Sequence, residues 1–312
     1  EAAVGGGIPI IEPLKQSLGG NQITKVSGII NGTTNYILSR MDKEGVSYAE
    51  VLKDAQQLGY AENDPAADVE GLDAADKIAI LSGLAFGGAI NRANIPTTGI
   101  NLLEAIDVNY ARKLGYGIKL LAISEKSRNQ SKGDISQPLS IWVEPTLVPE
   151  DNPLAGVNGV NNAILVEGNP IGQVMFFGPG AGSGPTASAV VADILNIAGI
   201  QSISRDRPIG LDPLLSAKSW RICHVAEEKE ITKKNYIRLI AEDTPGVIGQ
   251  IGTIFGQKKI SIESIVQFDA SNTEAEIVVI THKIKQGQLE KALLDIKTLP
   301  QVKRIAATMG CL

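Results

Sequence analysis

The residues most capable of chemistry lie between Gly59 and Lys77. The run Leu58-Gly59-Tyr60-Ala61-Glu62-Asn63-Asp64-Pro65 continues through Asp68 and Glu70 to Asp73 and Lys77. Glu62 falls in a turn-forming context ahead of Pro65, and Asp73 and Lys77 are four residues apart, which puts both on one face of a helix. An acid and an ammonium presented to one point can move a proton. The same carboxylates could instead hold a substrate ammonium, coordinate a cation, or stand as solvated acids at a helix start, where capping and the helix dipole favour them. Cation binding is the weakest of these, because no histidine is near and the acids do not follow an Asp-x-Asp-x-Asp-Gly order.

Three other segments offer main-chain groups. Phe177-Gly178-Pro179-Gly180-Ala181-Gly182-Ser183-Gly184-Pro185-Thr186 leads from a strand-like run into a helix at 187–198. Free amides at that helix start would attract an anion, and a tight strand-to-helix reversal explains the glycines equally well. Gly5-Gly6-Gly7-Ile8-Pro9 lets carbonyl oxygens turn inward, to form a hard-cation site with the Glu1 carboxylate or simply a loop. Asp243-Thr244-Pro245-Gly246 puts proline at or near the first position of a helix, where exposed amides could hold an amino-acid carboxylate; structural capping predicts the same residues. Asn31-Gly32-Thr33-Thr34-Asn35-Tyr36 reads as a capped helix start. His224, His282 and Cys223 read as structural, and Trp142 and Trp220, with no basic residues interleaved, as packing residues.

These segments need a scaffold, and the chain is long enough to supply two. It has 312 residues, 43% hydrophobic and 20% charged, with a formal net charge of -5. That length exceeds what one core usually serves, and the composition indicates neither disorder nor a basic surface for nucleic acid. Two cysteines make no disulfide framework and suit a reducing compartment, so a cytoplasmic location is expected. No apolar run is long enough to span a bilayer, and the first residues lack the basic start of a secretory signal. A chain opening on Glu1-Ala2-Ala3-Val4, without methionine or a preceding strand, reads as the interior of a longer protein.

The charged stretch 226–234 predicts a boundary, with one domain over residues 1–228 and a second over 235–312. The second domain reads as strand 236–241, helix 245–258, strands 260–268 and 274–281, helix 286–297 and strand 302–308, a βαββαβ order of the ferredoxin-like kind. In the first, Ser47-Tyr48-Ala49-Glu50 is a capping box for a helix through Leu58, with Gly59 as its stop and Val51, Leu52, Ala55 and Leu58 as its apolar stripe. Asp73 is expected to cap the next helix, Asp76 to lie in its first turn, and Ile78, Leu81, Leu84 and Ala85 to face the core. Strands are predicted at 116–124, 139–148, 163–166 and 173–177, the last two forming a hairpin across Gly168-Asn169-Pro170. The fold class is therefore α/β of the α+β type: helices over a mixed, mostly antiparallel sheet.

The pattern Gly28-Ile29-Ile30-Asn31-Gly32-Thr33-Thr34-Asn35-Tyr36-Ile37, with Leu58 to Pro65, Asp68, Gly71-Leu72-Asp73 and Lys77, resembles homoserine dehydrogenase. The resemblance runs from Glu1 to about Ala198, and the remainder is similar to the amino-acid-binding ACT domain. It implies Lys77 as the catalytic acid/base, Glu62 and Asp73 as substrate-holding residues with Asp68 assisting, and Gly59, Gly180 and Gly182 close to an NADP or NAD cofactor. It implies a sodium ion held by Glu1 and the main-chain oxygens of Val4, Gly6 and Ile8. In the ACT part it implies an effector site at Asp243, Pro245 and Gly246, most often for threonine, and pairing into a homodimer or larger homo-oligomer. The substrate would be aspartate semialdehyde or homoserine. A dinucleotide-binding half with a GxGxxG turn is not part of the sequence, so the chain alone is expected not to reduce aspartate semialdehyde. A dimerising amino-acid sensor without catalysis is the alternative expectation.

Overall fold

The computed structural model describes residues 1–126, 138–203, 222–269 and 274–312; Trp220 lies outside them. The first part runs α1 (Ile11–Lys15), β1 (Gln22–Ile29), α2 (Gly32–Glu44), α3 (Tyr48–Gln57), α4 (Ala66–Val69), α5 (Leu72–Phe86), β2 (Ala89–Ile90), a 3-10 turn (Arg92–Asn94) and α6 (Ala105–Lys113). It continues with β3 (Tyr116–Glu125), β4 (Ser140–Pro149), β5 (Asn161–Asn169), β6 (Gly172–Pro179), α7 (Ser183–Ile203) and β7 (Ile222–Cys223). After a 3-10 turn at Glu228–Glu230 come β8 (Thr232–Glu242), α8 (Val247–Gln257), β9 (Ile262–Asp269), β10 (Glu274–Thr281), β11 (Ile284–Lys285), α9 (Gln286–Ile296) and β12 (Val302–Cys311). Helices over a mixed, mostly antiparallel sheet, followed by a βαββαβ unit, is the predicted class.

Local chemistry accounts for the helix ends near the site. The Asn31 side chain accepts from Thr34 N and starts α2, which ends at Gly45 in the left-handed region. Ser47 caps α3 by accepting from Glu50 N, and Gly59, at φ 76°, turns the chain away after it. The α5 cap differs from expectation. Gly71, at φ 81°, occupies the N-cap without a side-chain bond, so Asp73 sits inside the first turn and Asp76 beyond it, paired with Arg92 at 2.7 Å. Glycine replaces a capping side chain here because the chain must reverse sharply between α4 and α5.

Among the described residues ten strands form one sheet in the order β6-β5-β1-β3-β4-β12-β8-β10-β9, with β11 on β8, and β2 pairs separately with β7. β1, which the sequence pattern does not reveal, is at the centre of its first half. Both faces of that half are covered, and the side chains alternate accordingly: Ile118, Leu120 and Ala122 of β3 join the core under the helices, while Leu121 and Ile123 join a smaller one with Trp142, Leu154 and Ile231. The 226–234 stretch is therefore no free linker. Ala226 and Ile231 are buried in that smaller core, and β8 already begins at Thr232. Lys119, on the same strand as Leu121, is buried too and donates to Val157 O at 2.6 Å, and burial pushes its ammonium down to about 8. Among the described residues no helix is long and apolar enough to cross a membrane.

The two halves meet in two ways. β12 runs parallel to β4 through Gly310 opposite Thr146 and Cys311 opposite Leu147. Helix α6 then lies across the βαββαβ sheet, on the face opposite α8 and α9. Arg238 of β8, 1% exposed, donates from Nε to Asp107 Oδ1 at 2.7 Å and from Nη2 to Oδ2 at 3.0 Å; Asp107, on α6, is fully buried. Tyr236 Oη donates to the same carboxylate at 3.0 Å, and Arg238 also reaches Glu104 and Glu276. Tyr110 of α6 stacks on Phe268 of β9 at 4.0 Å. Burial opposes the Arg238 charge, but the bonds and charges of Asp107 and Glu104 outweigh it and hold the guanidinium above its ordinary pKa.

Removing one member of such a pair strands the other charge. Arg238→Ala should destabilise the chain by about 3–5 kcal/mol. The double variant Arg238→Met/Asp107→Leu should recover part of that loss. Urea unfolding monitored by circular dichroism measures both.

Candidate active site

β1 ends at Ile29 and α2 begins at Gly32, so Ile30 and Asn31 form the joint between strand and helix. Helix α5 packs beside β1 and delivers Asp73 and Lys77 to this joint, and the Gly71 reversal brings Asp68 from α4. Lys77 Nζ donates to Asp73 Oδ2 at 2.8 Å and to Ile30 O at 3.0 Å. Asn31 Nδ2 donates to Asp68 Oδ1 at 2.6 Å and to Asp73 Oδ2 at 2.9 Å. The positive end of α2 faces these acids. Asn31 is buried and the three charged residues are half-buried, so the group is held yet open to a ligand.

Glu62 is placed differently. It is exposed on the loop after α3, which is tied down by its main chain: Gln56 Nε2 donates to Glu62 O at 3.1 Å, and Thr33 Oγ1 of α2 donates to Tyr60 O at 2.7 Å. Gly59 opens this loop. Of the predicted residues, the structure brings Asp68, Asp73 and Lys77 into contact through Asn31 and keeps Glu62 on a tethered rim. By sequence Asn31 reads as a helix cap only. Its signal was the segment Ile30-Asn31-Gly32 falling within the same resemblance as the acids.

The chain is similar to known proteins along its whole length. The family described as homoserine dehydrogenase matches residues 9–195, and the ACT domain matches residues 235–301. A homoserine dehydrogenase from Synechocystis sp. is 53% identical over 312 residues, covering 100% of this chain and 71% of that protein. The chain belongs to the homoserine dehydrogenase family. A homoserine dehydrogenase from Neisseria gonorrhoeae is 42% identical over 97% of this chain and 68% of its own length. The crystal structure of a homoserine dehydrogenase from Thiobacillus denitrificans superposes with a TM-score of 0.89 at 38% identity, covering 100% of this chain and 69% of that one. One from S. aureus gives a TM-score of 0.70 at 30% identity, covering 100% of this chain and 67% of its own.

Enzymes of this family are oxidoreductases that use NAD(P). Gly6 and Gly180 pack main chain against main chain: a Cβ on Gly6 would lie 2.4 Å from Gly180 O, and one on Gly180 would lie 1.1 Å from Asn162 Oδ1. Gly182, at φ 120°, begins the turn into α7. Protein atoms thus fill the space a side chain would take at Gly6 and Gly180, and the loop leaves exposed main chain at Gly182 and Gly184 by the start of α7, where free amides suit an anion. The loop is also linked to the acids, because Asn162 Nδ2 donates to Ile29 O at 3.0 Å, one residue from the carbonyl that holds Lys77.

Of the predicted sodium ligands, Glu1 is engaged by main-chain amides. The Glu1 carboxylate accepts from the amides of Ile10 and Ile11 at 2.9 and 2.8 Å and from Glu12 N at 2.5 Å, capping α1. Among the described residues no cluster of three or more His, Cys, Asp or Glu side chains is placed to hold a metal ion.

In the ACT domain, Glu242 to Ile248 with Gln267 and Ile277 line a cleft of about 430 Å³. Gln267 Nε2 donates across it to Asp243 Oδ1 at 2.9 Å. Gly246, at φ 96°, is the N-cap of α8, so the helix begins at Val247 and Pro245 stands outside it, two residues later than the sequence suggests.

The glycine surface makes a sharp expectation. Gly180→Ala must displace the buried Asn162 amide and should cost about 1–3 kcal/mol. Gly184→Ala, four residues on, where an added Cβ would meet no atom within 4 Å, should melt as the parent does. Thermal melts of the two variants decide it.

Proposed function

We propose that the chain supplies the substrate-holding and proton-transferring side of an NAD(P)H-dependent homoserine dehydrogenase. This enzyme interconverts L-aspartate 4-semialdehyde and L-homoserine on the route to threonine, methionine and isoleucine. The observation that carries it is the meeting of Asp68, Asp73 and Lys77 at the Ile30–Asn31 joint. Residues 1–228 would form the catalytic and dimerisation domain and residues 235–312 the regulatory ACT domain.

Lys77 has three ammonium protons. Two point at Ile30 O and Asp73 Oδ2, which leaves the third for a substrate oxygen. As the aldehyde becomes an alcohol, Lys77 gives that proton to the oxygen, and in the reverse direction it takes it back. Asn31 occupies one oxygen of Asp68 and one of Asp73, so each acid keeps a second oxygen for the substrate ammonium, with Glu62 closing over it from the rim. The bound nicotinamide supplies or accepts the hydride. Gly59, Gly180 and Gly182 would approach it, and most of the cofactor pocket is assigned to the part of the family's chains beyond the matched region. The apolar side chains exposed along α7, Leu195 at 65% among them, support a covering partner beside that surface. Whether NADP or NAD is preferred would be decided there.

Sodium has weaker support. The main-chain oxygens of Val4, Gly6 and Ile8 could ligate it, but the Glu1 carboxylate would have to be shared with α1. The ACT cleft at Asp243, Pro245 and Gly246 would take an amino-acid effector, with threonine as the end product, and pairing of ACT domains would make the enzyme a homodimer or larger. Free Cys223 and Cys311 are in keeping with a cytoplasmic protein.

In the enzyme completed with the remaining part found in its relatives, Lys77→Ala should lower turnover by about 10²- to 10⁴-fold and leave the melting curve unchanged. Cofactor absorbance with aspartate semialdehyde as substrate reads this, and parent-like turnover refutes the role of Lys77. For the regulatory half, saturating threonine should raise the thermal midpoint of the 312-residue chain. Gly246→Asp, which crowds the cleft with a carboxylate, should abolish the shift. A chain indifferent to an amino-acid panel would show that the cleft is not an effector site.

A further inference from the structure

We propose that Asn31 is the positioning residue of this site: one amide, unable to flip, that fixes Asp68 and Asp73 relative to each other and thereby aims Lys77. The inference rests on the proposed role of Lys77.

The orientation of the amide follows from its partners. Its Oδ1 accepts from Thr34 N at 2.9 Å and from Thr34 Oγ1 at 3.0 Å. A backbone N–H can only donate, so the atom facing it must be oxygen. Nδ2 is left facing the acids, where its two protons meet one oxygen of Asp68 and one of Asp73. Helix capping and acid bridging are thus performed by opposite ends of one rigid plane. Asp68 and Asp73 belong to different helices joined through the Gly71 reversal, and Asn31 spans that joint from outside. Asp73 Oδ2 receives both Asn31 Nδ2 and Lys77 Nζ, so a displaced Asn31 moves the lysine's partner.

Two substitutions separate positioning from capping. Serine and aspartate cap helices about as well as asparagine. Serine retains an acceptor for Thr34 N but has one proton for two acids. Aspartate retains the acceptor and turns a third carboxylate on them. In the completed enzyme, kcat/KM should fall about tenfold in Asn31→Ser and at least about a hundredfold in Asn31→Asp, with thermal midpoints near the parent's. A residue that only caps α2 predicts equal turnover in all three proteins.

Parent-like kcat/KM in Asn31→Asp overturns the inference alone. So do losses of turnover that follow a lost fold in both variants. An inactive parent enzyme overturns the proposed function and this inference with it.

Discussion

The buried contact between Arg238 and Asp107 is the polar centre of the junction between the two halves. Two desolvated charges are costly unless each finds several partners at good geometry, and here the guanidinium meets three carboxylates while Asp107 also receives the Tyr236 hydroxyl. The contact fixes α6 on the outer face of the βαββαβ sheet. Glu104, Asp107 and Tyr110 recur at intervals of three to meet the ACT strands, and Val108 and Ala111 of the same helix are buried in the catalytic core. The helix belongs to both halves at once.

A contiguous set of elements joins this contact to the site. Helix α6 packs on α2 and β3, and Arg112 of α6 donates to Asp42 O near the end of α2. The opposite end of α2 is capped by Asn31. The ACT cleft begins at Glu242, four residues along β8 from Arg238, and Ile277 in its wall neighbours Glu276, which Arg238 also binds. Rigid strands and two helices, α6 and α2, therefore separate the cleft from the acids, with no loop between Arg238 and Glu242. Contiguity of this kind supplies a physical route for coupling, whose strength is a property of energies and not of distance.

Much of this is legible from residue types, and the exceptions share a cause. The strands and helices of the ACT unit fall within a few residues of their predicted bounds, because apolar alternation and glycine stops are local signals. The four-residue spacing of Asp73 and Lys77 likewise survives as an ion pair. Arg238 escapes such a reading. On β8, Ile237, Leu239 and Ala241 face α8 and α9, so the intervening Tyr236 and Arg238 look like the solvent face of a half-buried strand. Only the tertiary placement of α6 buries them. β1 escapes because Gln22, Thr24, Lys25 and Ser27 dilute its apolar pattern, although a neighbour on each side makes it central. Glu1 reads as a cation ligand by sequence, and residue type alone does not reveal that its carboxylate also accepts from the amides of Ile10, Ile11 and Glu12.

The parallel pairing of β12 with β4 has a consequence for self-association. A strand such as β4, left without a partner on its outer side, would show open amides and carbonyls beside the apolar Ile141, Trp142, Val143, Leu147 and Val148, and such rows recruit other chains. Cys311 sits opposite Leu147, and Leu312 N donates to Leu147 O at 3.0 Å, so the final residues cap one end of that row. Gly310 passes there because a side chain would strike Glu144. At the other end Val143 exchanges main-chain bonds with Pro96 and Thr98, flanking the isolated bridge from Thr97. The ACT unit thus also guards that end of the edge, and shedding it would leave a sticky flank on the sheet of the first half.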